Sequence, residues 1–432
     1  MRLTWARPED LLPHELVQSA AEGKDVTAVR ERWVAAGGDP TPVVGGAGPE
    51  RPSLRQLARE LLDELDAPAA APDWETVLAA LPPAPALPVA FRGRELGAWT
   101  GRAAGCLLGK PVEKIPREGI EEILRATGRW PLDGWFTAVG LPADVAARWP
   151  WNRRSAPTSL EENIDGMPED DDLNYPMLAL TLLEAHGRGF TTDDVAQLWL
   201  DNLPAGRVFT AERAAYRNLL DARPDTATYR NPFREWIGAL IRADVFGWVS
   251  PGDVRAAARM AWTDARLSHT RNGVYGAMWA AALASAAMVC DTVDEVLDAA
   301  ETVIPLGSHL AAAVLLGRSA AEQGDVASGL DRLHAEYGDL HWVHVLNNAA
   351  VIAYALAKGG GEFGPSIAIA VTAGWDTDSA AATVGGVVGA LSGVPDYWAR
   401  PLDGRIATSL PGGERRITEL AARTAKLAEE TR

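Results

Sequence analysis

Apolar residues recur every three or four positions along most of the chain, which is the spacing of one buried helix face. Alternating runs rich in β-branched residues are almost absent. The pattern predicts helices at about residues 8–36, 53–65, 94–108, 173–185, 192–199, 210–220, 232–243, 253–264, 274–289, 293–302, 311–323, 349–357, 366–372, 379–391 and 414–429. Joined by loops that contain Gly and Pro, this many helices predict an all-α fold.

The first part of the chain differs from the rest. Gly-rich and Pro-rich breaks interrupt its helical pattern, and residues 68–88 are dominated by Pro and Ala, which is typical of a linker. We therefore expect a small helical extension over residues 1–88 and a compact multi-helix domain over residues 89–432.

Composition narrows the function classes. Acidic residues outnumber basic ones 58 to 41, and the net charge of −17 argues against contact with nucleic acid or with anionic membranes. The longest apolar run, residues 276–290, is too short and too Ala-rich to span a bilayer. Two cysteines cannot build a disulfide framework, and no signal-peptide core begins the chain. These features predict a soluble, cytoplasmic protein.

Two carboxylates stand before a long uncharged helix near the C-terminus. Asp376 and Asp378 are followed at once by Ser379 and then by a run of Ala, Gly, Val and Thr. Carboxylates at a buried helix start are costly unless a cation compensates them. A hard divalent metal such as Mg²⁺ would do so, although an ordinary polar helix cap explains the pattern equally well.

A second acidic cluster precedes another apolar helix. Glu169, Asp170, Asp171 and Asp172 form an unbroken run of carboxylates. Taken alone, such a run is typical of a solvated helix start, where acidic groups favour the helix dipole. Together with the C-terminal cluster, it predicts two acidic helix starts that converge on a dinuclear site with oxygen ligands.

Glycine recurs every fourth residue in the first helix of the main domain. Gly97, Gly101, Gly105 and Gly109 would form a flat helix face for close packing. Glu113 follows just beyond the expected end of this helix, where a loop would present it. A surface salt bridge is the simplest interpretation of Glu113 by itself.

Four stretches, in this order, resemble the motifs of the ADP-ribosylglycohydrolase family. They are residues 105–113, 170–172, 264–276 and 374–379. Each motif is weak alone, but the four in the family's order are specific, and the resemblance covers roughly residues 91–400. It implies an all-α fold that carries two Mg²⁺ ions in a cleft for ADP-ribose.

The resemblance also implies individual roles. Leu173 stands where Thr is common and cannot ligate a metal, so Asp170 or a water would have to fill that place; Ser379 replaces a Thr and keeps the hydroxyl. His269 is interpreted equally well as an ordinary helix-end histidine. The implied metal ligands are Asp170, Asp171, Asp172, Asp376, Asp378 and Ser379. The implied substrate contacts are His269, Asn272, Gly273, Tyr275 and Gly374.

Chemistry supports the same assignment. Cleavage of a glycosidic bond builds positive charge on the sugar and needs a deprotonated water. A dinuclear site can hold the ribose hydroxyls and activate that water. We expect Glu113 to be the acid/base residue and Asp376 to take part in catalysis. Which group deprotonates the water stays open.

Three functions compete at this stage. The favoured one is a Mg²⁺-dependent hydrolase that removes ADP-ribose from a protein side chain or a small molecule. The second is an enzyme of the same fold that acts on a small NAD-derived or nucleoside-like riboside, with the extension and residues 129–168 narrowing the cleft. The third is a non-catalytic module that binds ADP-ribose.

Overall fold

The computed structural model describes residues 3–66, 72–88 and 92–430, which form an all-α fold. The α-helices are α1 (Pro8–Ala21), α2 (Thr27–Ala35), α3 (Arg55–Leu65), α4 (Trp74–Ala79), α5 (Glu95–Gly109), α6 (Arg117–Ala126), α7 (Ala143–Arg148), α8 (Ala156–Ser159), α9 (Asp171–His186), α10 (Thr192–Asn202), α11 (Thr210–Leu220), α12 (Asp244–Trp248), α13 (Val254–Ala265), α14 (Arg271–Ala287), α15 (Val293–Glu301), α16 (His309–Ala321), α17 (Val326–Tyr337), α18 (Val345–Gly359), α19 (Phe363–Thr372), α20 (Thr377–Ser392), α21 (Asp396–Ala399) and α22 (Ile417–Glu429).

Short 3₁₀ turns and one small strand pair complete the described structure. The strands β1 (Arg405–Ile406) and β2 (Arg415–Arg416) pair antiparallel. The 3₁₀ turns cover Pro52–Leu54, Lys110–Val112, Glu161–Asn163, Gly187–Gly189, Ala205–Arg207, Ile237–Arg242 and Arg400–Leu402. The expected boundary between residues 88 and 89 falls at residues 89–91, which lie outside the described residues.

Most predicted helices are present, and the differences have local causes. The single pattern predicted over residues 8–36 divides into α1 and α2, because Gly23 adopts φ +84° and ends the first helix. The helix predicted over residues 232–243 is a 3₁₀ turn from Ile237 to Arg242. All six of its residues are buried, so no polar face marks a helical period.

The helices α5 and α20 pack unusually close together. The glycines of α5 face the backbone of α20, and a Cβ at Gly105 would lie within clashing distance of the Ala381 carbonyl. Only a residue without a side chain permits this approach. The facing pairs run antiparallel, namely Gly97 with Gly389, Gly101 with Gly385, Gly105 with Ala381 and Gly109 with Thr377. The predicted flat glycine face is therefore present.

Helix α14 runs through the centre of the protein. Of its 17 residues, 15 are buried, and Ala is the commonest of them, which allows α12, α13, α18 and α20 to pack around it. Within the described residues, we find no helix that is both long and apolar enough to cross a membrane.

The N-terminal extension packs against the main domain through buried charges and rings. Arg234 forms a two-pronged ion pair with Glu15 of α1, with both N–O distances at 2.9 Å, and a second pair with Glu22 at 2.7 Å. The indole of Trp5 meets the Phe233 ring edge-on at 5.4 Å. A buried, bidentate arginine pair fixes the relative orientation of the groups that it joins.

Candidate active site

The start of α20 is anchored to the end of α5. The Thr377 hydroxyl donates to the Gly109 carbonyl at 2.8 Å, which places the two flanking aspartates beside the segment that follows α5. Gly374 and Trp375 both have positive φ, +77° and +63°. A Cβ on Gly374 would lie 3.1 Å from the Arg117 backbone nitrogen, so this turn favours glycine. Non-glycine residues with positive φ are strained and concentrate at functional sites.

The second acidic cluster begins α9. Asp170 caps the helix by accepting a hydrogen bond from the Asp172 backbone at 2.9 Å. Its other carboxylate oxygen pairs with the buried ammonium of Lys110, at the end of α5. Burial alone would raise the pKa of Asp170, but Lys110 holds it below its usual value. Both oxygens of Asp170 are therefore already occupied by protein groups.

The two acidic clusters meet directly. The Ser379 hydroxyl donates to Asp172 Oδ2 at 3.1 Å across 207 residues of sequence. The guanidinium of Arg102 contacts Asp172 Oδ1 at 3.2 Å from the other side, and it also pairs with Asp244. Asp172 is only 1% exposed, so these partners hold its side chain in a single orientation.

Burial, followed by repulsion from neighbouring carboxylates, raises the pKa values of three of the remaining aspartates. Burial, followed by the charges of Asp170 and Asp378, raises the pKa of Asp171 well above its usual range. Burial and the neighbouring Asp378 and Glu113 likewise raise the pKa of Asp376. For Asp378, burial, Glu113 and Asp170 raise the pKa to about 7. These shifts mean that Asp171, Asp376, Asp378 and Glu113 share one poorly solvated space.

Glu113 lies at the edge of this space. Its side chain is 18% exposed, and Lys114 Nζ lies 3.1 Å from one carboxylate oxygen. The other oxygen accepts a hydrogen bond from the Asn152 amide. Asn152 belongs to the long segment before α9, and its backbone N–H donates to the Pro111 carbonyl at 3.0 Å. Glu113 is thus held in place by two contacts and is still partly accessible to solvent.

The donor set fits a hard divalent cation. Seven carboxylates form the acidic cluster, because each repels another member or pairs with a cation of the cluster. They are Glu113, Asp170, Asp171, Asp172, Asp244, Asp376 and Asp378. The cationic side chains paired with them in the described structure are Arg102, Lys110 and Lys114. With every group ionised, four negative charges remain, and carboxylate and hydroxyl oxygens are the ligands that Mg²⁺ takes.

Cys106 lies within the same cluster but adds no ligand suited to magnesium. Its sulfur and one oxygen each of Asp170 and Asp172 lie within 4.8 Å of one another. Burial, together with these two charges, raises the pKa of the Cys106 thiol well above its usual value, so the sulfur stays protonated. Leu173 is fully buried in the core, and its aliphatic side chain has no atom that can ligate a metal.

The residues predicted to contact substrate divide into two groups. Gly374 lies in the turn that leads to Asp376. His269 is fully buried, 2.8 Å from the Ser268 hydroxyl, and burial followed by the nearby Arg242 lowers its pKa well below the usual value. Its substrate contact stays a prediction, and in this structure its neighbours are protein groups.

Asn272 and its neighbours lie near the start of α14. The Asn272 amide donates to Glu235 Oε2 at 2.6 Å and accepts from the Leu310 backbone at 3.0 Å, so it joins three segments of the protein. Gly273 is buried beside it, whereas Tyr275 is half-buried. The substrate contacts of these three residues also stay predictions. Of the three, Tyr275 is the residue that is partly exposed to solvent.

The start of α18 connects the segment that contacts Asn272 with the turn that leads to Asp376. The Val345 backbone donates to the Glu235 carbonyl at 3.2 Å, and the Asn348 side-chain oxygen accepts from the Asp376 backbone at 3.3 Å. Sequence analysis did not single out Asn348, Lys110, Arg102 or Asn152. The local sequence around Lys110 gave one signal, a lysine directly after the predicted buried glycine face. The other partners become evident only when distant segments meet.

Comparison with known proteins identifies the family. The family model for ADP-ribosylglycohydrolase matches residues 87–432. No curated protein sequence matches. Among solved structures, 43 chains match, and one described as an "ADP-ribosylglycohydrolase-related protein complex" is 21% identical, with a TM-score of 0.49, covering 78% of this chain and 98% of its own.

The match to the family model spans most of the chain and includes every residue of the two acidic clusters and Glu113. The resemblance inferred from four short motifs is confirmed. This chain belongs to the ADP-ribosylglycohydrolase family, whose name denotes hydrolysis of ADP-ribose linkages.

Proposed function

We propose that this protein is a Mg²⁺-dependent hydrolase that cleaves an N- or O-glycosidic bond to ADP-ribose on a protein side chain or small molecule. The observation that supports this most strongly is the meeting of two aspartate groups about 200 residues apart, joined by the bond between Ser379 and Asp172. Burial and neighbouring carboxylates raise the pKa values of Asp171 and Asp376, so added positive charge would stabilise their ionised forms. Two divalent cations would balance the four negative charges that the cluster retains.

The magnesium ligands we propose are the carboxylates least occupied by protein partners. Asp171, Asp376 and Asp378 fit this description best, with Asp172 and Ser379 contributing from the side held by Arg102. Asp170, predicted as a ligand in place of Leu173, would have to leave Lys110 in order to bind metal. When bound, the ions supply positive charge that orients sugar hydroxyls and lowers the pKa of water.

Glu113 is the proposed acid/base residue. Its carboxylate is fixed by Lys114 and Asn152, yet it is partly exposed at the edge of the acidic cluster. A carboxylate so placed can give a proton to the leaving group or take one from the attacking water. The proposed part of Asp376 is to share this proton transfer, since Glu113 lies close enough to contribute to its raised pKa after burial and Asp378.

A small riboside is the second candidate substrate. Two segments outside the family motifs are linked to Glu113. The segment before α9 contacts it directly through Asn152, and the N-terminal extension is linked to it through Val44, Trp342 and Lys114. Additional segments beside a catalytic group would narrow its access, which favours small substrates over protein side chains.

The proposed function can be tested by calorimetry and a substrate panel. We expect Mg²⁺ to bind the native protein and to be required for release of ADP-ribose from at least one of ADP-ribosyl-arginine, ADP-ribosyl-serine and an NAD-derived riboside. Glu113→Gln should lower kcat by about 10²–10⁴-fold while Mg²⁺ still binds. The exposed Glu118→Gln is the matched control. Binding of ADP-ribose without turnover of any substrate would instead identify a binding module.

A further inference from the structure

A chain of contacts runs from the N-terminal extension to Glu113. The carbonyl of Val44 accepts a hydrogen bond from the Trp342 indole at 2.9 Å. The Lys114 ammonium lies 4.9 Å from the centre of the Trp342 ring, and its other neighbour is the Glu113 carboxylate at 3.1 Å. A cation held over an aromatic face is attracted to it and loses freedom to move.

The extension also fixes the turn that carries Trp342. The ring of His341 is stacked on Trp236 at 4.3 Å, with an angle of 13° between the planes. Two rings of the extension, Trp5 and His14, pack edge-on against the same imidazole at 5.8 and 5.4 Å. The neighbouring Trp342 is therefore placed by the extension both through its own indole and through the residue before it.

The same turn contacts the acidic cluster from the other side. The Trp342 carbonyl accepts a hydrogen bond from the Asn348 side chain at 2.9 Å. The Asn348 side-chain oxygen in turn accepts from the backbone of Asp376 at 3.3 Å. Trp342 is thus linked to Asp376 through Asn348 and to Glu113 through Lys114.

The backbone at Lys114 indicates that its position is imposed. Lys114 adopts φ +74°, a left-handed conformation that is unfavourable for a residue with a side chain. Such a conformation persists only when surrounding contacts determine it. The turn that holds Lys114 is closed by a hydrogen bond of 2.9 Å from the Ile115 backbone to the Val112 carbonyl. The side chain of Lys114 then contacts Glu113 and the Trp342 ring, and although burial opposes the effect, Glu113 raises the pKa of Lys114.

We propose that the N-terminal extension is a working part of the active site, because it positions Glu113 through Trp342 and Lys114. Trp342 and Lys114 are positioning residues: neither has to touch the reacting atoms. Lys114 on one oxygen and Asn152 on the other hold the Glu113 carboxylate in one orientation. This inference rests on the proposed function, in which Glu113 is the acid/base residue.

Kinetics of the full chain test the positioning role. Lys114→Met and Trp342→Leu should each lower kcat about tenfold or more while KM changes little, because misplacing a catalytic group slows the chemical step. Lys114→Arg keeps a cation over the ring and should retain most of the rate. Trp342→Phe keeps the ring but loses the bond to Val44, so an intermediate loss of kcat is expected.

The matched control is a second cation–π pair beside the extension. The Arg223 guanidinium lies 3.6 Å from the Tyr229 ring centre, outside the chain of contacts that leads to Glu113. Tyr229→Leu should leave kcat unchanged. If Trp342→Leu and Lys114→Met turn over as fast as this control, the inference is overturned while the proposed function stands.

A chemical readout reports the contacts without any substrate. The rate at which an acetylating reagent modifies Lys114, followed by mass spectrometry, should rise several-fold in Trp342→Leu and in Trp342→Phe relative to the exposed Lys426. An unchanged rate would show that Val44 and Trp342 do not hold Lys114. Absence of turnover in the native protein, by contrast, would remove the proposed function and the catalytic part of this inference together.

Discussion

Thr377 and Gly109 are joined by a hydrogen bond of 2.8 Å between the threonine hydroxyl and the glycine carbonyl. This single contact ties the first turn of α20 to the last turn of α5. Asp376 and Asp378 flank the threonine, and Lys110 and Glu113 follow the glycine. The acidic helix start, the buried ammonium and the proposed acid/base residue are therefore brought together by the packing of two helices.

The first prediction concerns that packing. Gly105→Ala should lower the free energy of unfolding by about 1–3 kcal/mol or more, because the added methyl would collide with the Ala381 carbonyl. Urea unfolding followed by circular dichroism measures the loss. Gly206→Ala is the control, since a Cβ there would meet no atom within 4 Å. Equal stability of the two variants would mean that α5 and α20 do not pack this closely.

The second prediction concerns metal binding. Burial and Glu113 raise the pKa of Asp378 to about 7, so at pH 8 the metal-free protein carries an ionised group that its surroundings disfavour. Asp378→Asn should therefore raise the Tm of the metal-free protein and abolish metal-dependent turnover with the fold intact. It should also lose the stabilisation by Mg²⁺, which amounts to about 2.7 kcal/mol at a hundredfold excess over Kd.

Calorimetry and thermal unfolding with and without Mg²⁺ measure both effects. The exposed Asp396→Asn serves as the control and should behave like the native protein. Undiminished activity and unchanged Mg²⁺ binding in Asp378→Asn would remove this aspartate from the site.

The third prediction concerns the attachment of the extension. Arg234 and Glu15 form a pair in which both side chains are only 6% exposed. Arg234→Met would leave that carboxylate buried and unpaired and should cost about 3–5 kcal/mol. Arg230→Met breaks the more exposed pair with Asp63 and should cost under about 1 kcal/mol. Urea unfolding of both variants checks the difference, and similar losses would contradict it.

The fourth prediction is a pH dependence. Burial lowers the pKa of His14 from 6.5 to about 4 and that of His341 to about 3. At these two histidines the unfolded chain therefore binds more protons than the folded one between pH 6.5 and about 4. Their contribution to stability is complete above pH 6.5 and falls as the pH decreases through this window, whereas the raised pKa of Asp378 acts in the opposite direction. For His14 the loss amounts to roughly 3 kcal/mol.

Urea unfolding at several pH values measures this slope. His14→Phe keeps an aromatic ring in the cluster and removes the titrating group, so the native protein should lose stability relative to this variant as the pH falls. The exposed His186→Gln should keep the native pH dependence. A stability difference between the native protein and His14→Phe that is constant from pH 6.5 to 4.5 would contradict the prediction.

Part of the fold was predictable from local patterns alone. The glycines of α5 and the aspartates before α20 and α9 are short-range signals, and each led to the element in which it is found. Helices α6 and α17 were missed. In α6 the core-facing aliphatic residues, Ile120, Ile123 and Leu124, follow the spacing of a buried helix face, so the signal for this helix is present in the local sequence.

The sequence by itself determined the fold class, the family and the two acidic clusters, because helical periodicity and motif spacing are properties of neighbouring residues. The tertiary structure decided which groups contact one another. Lys110 pairs with Asp170, Arg102 pairs with both Asp172 and Asp244, and the extension accepts a hydrogen bond from Trp342. These contacts join residues tens to hundreds of positions apart. The local sequence does not show which distant groups folding brings together. Burial shifts the pKa values of these groups, and it arises only when they pack in the folded protein.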